Sequence, residues 1–417
     1  MLSAGDRAAI RAAAAANGTP LFVYQRTSLI RQVGRLADGL PDGVGIIYSV
    51  KANPNPAIIG LLLDHCAGAE VAGVGELAAA RAAGVDPSRL AMVGPGKQEA
   101  DHRAAIENGI GMIVVESAAE MARLQTAAAG CGPVSVALRV NPGRGSGGRL
   151  RMDGDTQFGM EPEVAVTIAR DHERFPDLSI SGVHGYGGSQ QADPAAIVRC
   201  TEMVLDAAAY IQMETGLRLT WLDLGGGFAQ SVREGDPSLD VACLKAPLTR
   251  CLDRYRAAHP WTERIMFESG RFLVAESGIL VASVVDIKVN HGRTYVILDG
   301  GIAQFGFDDR TYGQRAPAVS LLDNRDELAE EIRLCGPLCT PADRIAASVN
   351  LARPRVGDLL CIFNVGAYGL TGNPGLFLGQ GFAPELLLEG AGATLIRRRF
   401  TAADYLRATA PLPDSLR

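Results

Sequence analysis

Between Val44 and Phe267 the chain alternates short apolar runs with longer segments of helical spacing. The runs are Val44 to Val50, Glu70 to Ala72, Leu90 to Val93, Met112 to Val115, Val134 to Val140, Ile180 to His184, Trp221 to Leu224 and Ile265 to Phe267. Their length and β-branched content read as strands, and the alanine-, leucine- and arginine-rich segments between them, such as Pro56 to His65, Gly75 to Ala83 and Ala195 to Met213, read as helices. Eight strands alternating with helices predict a closed, TIM-like (β/α)8 barrel whose active site lies at the carboxyl ends of the strands; an open doubly wound sheet is the alternative. After Phe267 the rhythm stops. Strand-like runs then follow one another at Ile279 to Val289, Thr294 to Leu298, Ile345 to Asn350, Leu359 to Phe363, Glu385 to Leu388 and Ala393 to Arg397, punctuated by glycine, proline and aspartate. This predicts a second, mostly β domain. Ahead of the barrel lie an alanine-rich helix and a strand-like run, Pro20 to Tyr24.

Length agrees with two domains, since 417 residues exceed the roughly 250 to 300 that one core supports. The formal net charge of -6, with no basic block, argues against nucleic acid or an anionic membrane as partner. No apolar run reaches the about eighteen residues that span a bilayer, and no leader pattern opens the chain, so a cytoplasmic protein is expected. Eight scattered cysteines, with Cys335 and Cys339 the one close pair, fit no metal knuckle, and no metal is expected.

Candidate chemistry gathers at the predicted strand ends. Tyr48 to Pro56 reads Tyr-Ser-Val-Lys-Ala-Asn-Pro-Asn-Pro, which puts Lys51 where the first strand opens into a loop. The chain has four lysines, Lys51, Lys97, Lys245 and Lys288, against a large excess of arginine. A lysine kept here suggests a need for an amine that can lose its proton and attack a carbonyl, which arginine cannot do. Asp223-Leu-Gly-Gly-Gly-Phe228 ends the seventh strand in three glycines, either a phosphate cradle of backbone N–H groups or a tight turn without a ligand. Phe267-Glu-Ser-Gly-Arg271 places a carboxylate and a guanidinium at the eighth, suited to a pyridine nitrogen and a phosphate. Val183 to Gln190 carries His184, Tyr186 and Ser189 among glycines at the end of the sixth; its plain alternative is a glycine-rich loop with a packing tyrosine. In the second half, Cys335 to Asp343 and Asn364 to Tyr368 break the β pattern with turns, and Cys339 is either an inert thiol or a proton donor.

Taken together and in this order, these motifs resemble the fold type III pyridoxal phosphate (PLP) decarboxylases, the family of diaminopimelate and ornithine decarboxylases, over nearly the whole chain. The resemblance implies an alanine racemase-like fold with a PLP-binding barrel over 28–267 and a β-rich domain made of 1–27 with 268–417. It implies that Lys51 carries PLP as a Schiff base and that Gly225, Gly226, Gly227, Ser189, Arg271 and Tyr368 bind the phosphate, with Gly270 beside them. Glu268 faces the pyridine nitrogen, and Glu70 and Glu76 arrange the lysine and ring. The histidine that usually stacks on PLP falls at Tyr186, with His184 two places earlier. Cys339 and Asp343 match a loop that reaches a partner's active site, which implies a homodimer with shared sites. Thr340 stands where diaminopimelate decarboxylases usually carry glutamate and ornithine decarboxylases aspartate, and Asp308, Asp309, Arg310 and Tyr312 lie where relatives recognise the substrate's far end. These features look most like a branch that includes exosortase-associated and natural-product decarboxylases, some acting on an amino acid tethered to a carrier protein. Loss of an α-carboxylate, free or carrier-bound, with Cys339 returning a proton to the α-carbon, is the reaction implied. Diaminopimelate decarboxylation, a racemase and a non-catalytic regulator are the alternatives.

Overall fold

A computed structural model describes residues 2–141, 143, 150–152, 154–233, 235–305, 316–323, 325 and 327–410. The chain divides into two compact units, one of Ile30–Gln230 with Pro237–Leu273, the other of Met1–Leu29, Ser231–Asp236 and Val274–Arg417.

The first unit is a closed barrel of eight strands, Val44–Ser49, Gly68–Val71, Leu90–Met92, Met112–Val115, Val134–Val140, Leu178–Gly185, Trp221–Asp223 and Arg264–Ser269, each parallel to its chain neighbours. The eighth closes on the first with Glu268 opposite Ile47 and Ser269 opposite Tyr48. All eight predicted strands are present, and the closed form replaces the open-sheet alternative. Ile47, Ala91, Val93, Met112, Val114, Ala137, Trp221 and Met266 form a buried cluster on these strands, so the interior is packed rather than open. Packing is close enough that a Cβ on Gly182 would lie 2.8 Å from the Trp221 carbonyl oxygen. Only hydrogen fits there.

Local chemistry starts the helices where they are needed. Asn55 caps Pro56–Leu63 by accepting from the Ala57 N–H, and Pro56 at the first position has no N–H to leave unpaired. Tyr48 O–H donates to the Asn53 carbonyl at 2.8 Å, and Asn53 Oδ1 accepts from the Asn55 N–H. The Asn-Pro-Asn-Pro segment is therefore a built connection that leaves the backbone around Lys51 little freedom.

The second unit is a nine-stranded mixed sheet. Gly278–Asn290 is its spine: one half pairs with Leu21–Gln25 and Leu359–Phe363, the other with Arg293–Leu298, with an irregularity between Val284 and Asp286. Leu21–Gln25 also runs parallel to Glu385–Glu389, which ties the N-terminal segment into this sheet. The helix Ala4–Asn17 lays Ala9, Ile10 and Ala13 on a core of Leu21, Val23, Ile279, Val281, Cys361, Leu386 and Leu388. Two strands were not foreseen, Val319–Leu321 and Ala329–Cys335. In the latter, only Ile332 and Leu334 are buried, Glu331 is exposed and Glu330 and Arg333 are half-buried, so its pattern reads as polar chain. Sheet neighbours on both sides, parallel Arg293–Leu298 and antiparallel Arg344–Ala352, hold it as a strand.

Candidate active site

The barrel's carboxyl ends converge on a buried group of charged side chains. Lys51 sits in a short 3₁₀ turn, Val50–Ala52, directly after the first strand. Its Nζ donates to Glu70 Oε1 at 2.7 Å, and Glu70, on the second strand opposite Ser49, is buried. The Tyr186 ring centroid lies 6.0 Å from the same Nζ, so an aromatic face flanks the amine. Glu76 opens the next helix and accepts from the Ala72 N–H at 2.7 Å; burial pushes its acid up.

His184 and Glu268 stand on the sixth and eighth strands, and His184 Nε2 meets Glu268 Oε1 in a short contact, both side chains buried. Burial, helped by Arg139, pushes the His184 imidazolium down to about 3, which favours a neutral ring; opposite an ionised Glu268 that ring donates through Nε2–H. Burial also raises the Glu268 acid, against the opposing pull of Lys51 and Arg139. Such a carboxyl gains from a cationic ring nitrogen placed opposite it. Glu70, His184 and Glu268 offer ligand atoms within 4.8 Å of one another, but the Lys51 ammonium already holds Glu70 and repels a metal cation.

The imidazole has a consequence for folding. An unfolded histidine takes up a proton near pH 6.5, whereas the folded one resists to about 3. The unfolded state thus binds more protons in that window, and stability is lost as pH falls through it. The melting-temperature gap between apo wild type and His184→Gln is expected to narrow steadily across the window; a constant gap contradicts a neutral buried His184.

The glycine turn follows the seventh strand. Gly225 and Gly227 take φ of 68° and 80°, the left-handed region. A Cβ on Gly226 would lie 1.9 Å from the Glu268 carbonyl oxygen, and one on Gly227 1.8 Å from that of Gly188. Gln191 N–H donates to the Gly227 carbonyl at 2.8 Å. Ser189 is half-buried on the neighbouring Gly188–Ser189 strand, and Arg271, buried, follows the eighth strand. Gly270 lets this segment approach the lysine turn, where a Cβ would meet Ala52 Cβ at 2.9 Å. A lysine amine, a carboxylate opposite a glycine-lined turn and a nearby guanidinium are the donor set that a phosphorylated pyridine aldehyde requires. Buried polar atoms without a partner among the described residues, His184 Nδ1, Asp223 Oδ2 and Ser269 Oγ, fit a site shaped for a polar ligand.

Two site residues escaped the sequence reading. Arg139, near the end of the fifth strand and opposite His184, is buried and bonds Glu116 Oε1 at 2.8 Å, while Glu116 Oε2 accepts from the Gly159 N–H. The signal was a single charge in the otherwise apolar run Val-Ser-Val-Ala-Leu-Arg-Val.

The remaining predicted residues lie in the second unit. Cys339 is exposed, and Thr340 Oγ1 accepts from the Ala342 N–H. The Asp343 side chain is buried, with Oδ1 accepting from the Ile302 N–H at 2.8 Å and Oδ2 from the Leu338 N–H at 2.7 Å. Both oxygens pin the loop to backbone N–H groups. Tyr368 has a left-handed backbone, φ 58°, and its carbonyl accepts from Asn373 Nδ2. Asp308, Asp309, Arg310 and Tyr312 lie outside the described residues.

With this geometry in place, a comparison with protein families matches residues 26–275 to "Pyridoxal-dependent decarboxylase, pyridoxal binding domain". The chain belongs to that family. It is 30% identical over 411 residues to the L-glutamyl-[BtrI acyl-carrier protein] decarboxylase of Niallia circulans, covering 96% of each chain. It is 29% identical to the diaminopimelate decarboxylase of Zymomonas mobilis, covering 94% of this chain and 93% of that one. Among solved structures, a diaminopimelate decarboxylase from M. jannaschii superposes with a TM-score of 0.87 at 25% identity, over 97% of this chain and 95% of that one. The protein is therefore a PLP-dependent amino-acid decarboxylase with a fold type III architecture, and PLP is its cofactor. No helix among the described residues is long and apolar enough to cross a membrane.

Proposed function

We propose that this decarboxylase removes the α-carboxylate of an amino acid whose far end is joined to a carrier protein. The observation that carries the reading is the Gly336–Asp343 loop, whose one acid, Asp343, has both oxygens on backbone N–H groups. Thr340, at the position where relatives with a free distal ammonium carry an acid, offers a hydroxyl. A hydroxyl pairs well with a neutral acyl carbonyl and poorly with a buried ammonium. Because the α-carboxylate must be free to leave, the tether has to run through another carboxyl. Similarity to a carrier-linked glutamyl decarboxylase supports the same reading.

PLP supplies an electron sink for the pair left when the Cα–carboxylate bond breaks. Lys51 would hold the cofactor through its amine, which Glu70 orients at 2.7 Å. Glu268 would keep the pyridine nitrogen protonated, and His184 holds that carboxyl in place. The glycine turn, Ser189 and Arg271 would bind the phosphate, the role the family resemblance also gives Tyr368, and Tyr186 would face the ring. Cys339 of the partner subunit delivers a proton to the α-carbon, so the products are carbon dioxide and the amine. Carbon dioxide release from free and carrier-bound amino acids, measured side by side, tests the substrate assignment.

Shared sites make a separate prediction, because Cys339 and Lys51 are both required but come from different protomers. Mixing Lys51→Ala with Cys339→Ala, each impaired alone, is expected to restore part of the activity, since a hybrid dimer has one intact site. No recovery, with subunit exchange shown by labelled chains, argues for sites complete within one protomer.

A further inference from the structure

Asp223 closes the seventh strand in the middle of the active-site charges, yet nothing in the mechanism above uses it. It is fully buried. Its Oδ1 accepts from the Gly225 N–H at 3.0 Å, while Oδ2 has no partner among the described residues. The carbonyl of the same Gly225 accepts from the Glu268 N–H at 2.7 Å. One residue, Gly225, thus links to Asp223 through its N–H and to the carboxylate strand through its carbonyl.

We infer that Asp223 serves as a neutral carboxylic acid that positions Gly225, and through that residue the phosphate-binding turn and the Glu268 strand, for the cofactor. Charge balance supports the neutral form. The groups facing it are His184 on the sixth strand, Glu268 on the eighth, Glu70 on the second and Lys51 after the first, with the Arg139 and Glu116 pair beyond. Glu70 already takes the Lys51 ammonium, His184 is neutral, and a pyridine nitrogen pairs with Glu268. A charged Asp223 has no cation left to meet, and a buried unpaired carboxylate takes up a proton. Burial first, then Glu268, pushes its acid well above the ordinary range. A buried positioning acid of this kind serves cofactor binding whichever amino acid is decarboxylated.

The test is PLP affinity of the purified enzyme, followed by visible absorbance across the neutral pH range, for wild type, Asp223→Asn and Asp223→Ala. Asparagine keeps the acceptor oxygen and replaces the acid's hydroxyl with an N–H donor. Loss of one hydrogen bond is expected to weaken PLP binding by up to about tenfold in Asp223→Ala. The asparagine variant is expected to restore affinity, with a pH profile that overlays wild type. Asparagine as weak as alanine, or profiles that diverge with pH, establishes that the ionised carboxylate is what the site needs and overturns the inference. Alanine as tight as wild type overturns it as well. Circular dichroism of the apo variants separates misfolding from weak binding, and if alanine fails to fold, the asparagine and wild-type profiles alone decide.

Discussion

Lys51→Ala is expected to abolish decarboxylation, with kcat/KM falling on the order of 10³-fold or more, because the amine that pairs with Glu70 is the one proposed to hold the cofactor covalently. The other lysines cannot replace it. Lys97 is buried in an ion pair with Glu120 at 2.8 Å, Lys245 pairs with Asp42, and Lys288 is exposed on the sheet of the second unit. Borohydride reduction of the PLP-loaded enzyme, followed by peptide mapping, is expected to mark Lys51 alone and to leave Lys51→Ala unmarked. A mark on Lys97, Lys245 or Lys288 contradicts the assignment.

The barrel was legible because its strands are buried on both faces and therefore read as continuous apolar runs separated by helical spacing. Lys51, the glycine turn and the Glu268 segment were legible for a related reason: each follows directly on such a run, where a barrel keeps its chemistry. What escaped depends on register across the barrel. His184 and Glu268 are 84 residues apart, and only the closure of sixth, seventh and eighth strands brings the imidazole onto the carboxylate. Arg139 and Glu116, 23 residues apart, meet because adjacent parallel strands end side by side. The contacts of Asp343 were hidden for a different reason. An acid in a turn looks available in sequence, but the N–H groups that claim it belong to Ile302 and Leu338, one of them 41 residues away. The charged strand Ala329–Cys335 was hidden because its β character is imposed by neighbours rather than by its own residues.

Free diaminopimelate, lysine and ornithine are expected to be poor substrates. Each carries a distal ammonium, and removing the counter-charge of such a group in a closed site costs about 2 to 5 kcal/mol. At about 1.4 kcal/mol per tenfold, that is roughly a thirty-fold to several-thousand-fold loss in kcat/KM. Thr340→Glu places a carboxylate at this loop position, and is expected to recover part of that loss for diaminopimelate while lowering turnover of an acyl-linked substrate. The two substitutional effects have opposite signs, which separates a specificity role for Thr340 from simple damage to the loop.

The most direct test is kcat/KM for free diaminopimelate beside that for glutamate linked through its side-chain carboxyl to an acyl carrier protein. The carrier-bound substrate is expected to be preferred by at least about thirty-fold, the lower end of that range. Turnover of free diaminopimelate by the wild-type enzyme at about 10⁴ M⁻¹s⁻¹ or more, an ordinary enzymatic rate, with no preference for the carrier-bound amino acid, contradicts the account and assigns the enzyme to diaminopimelate instead.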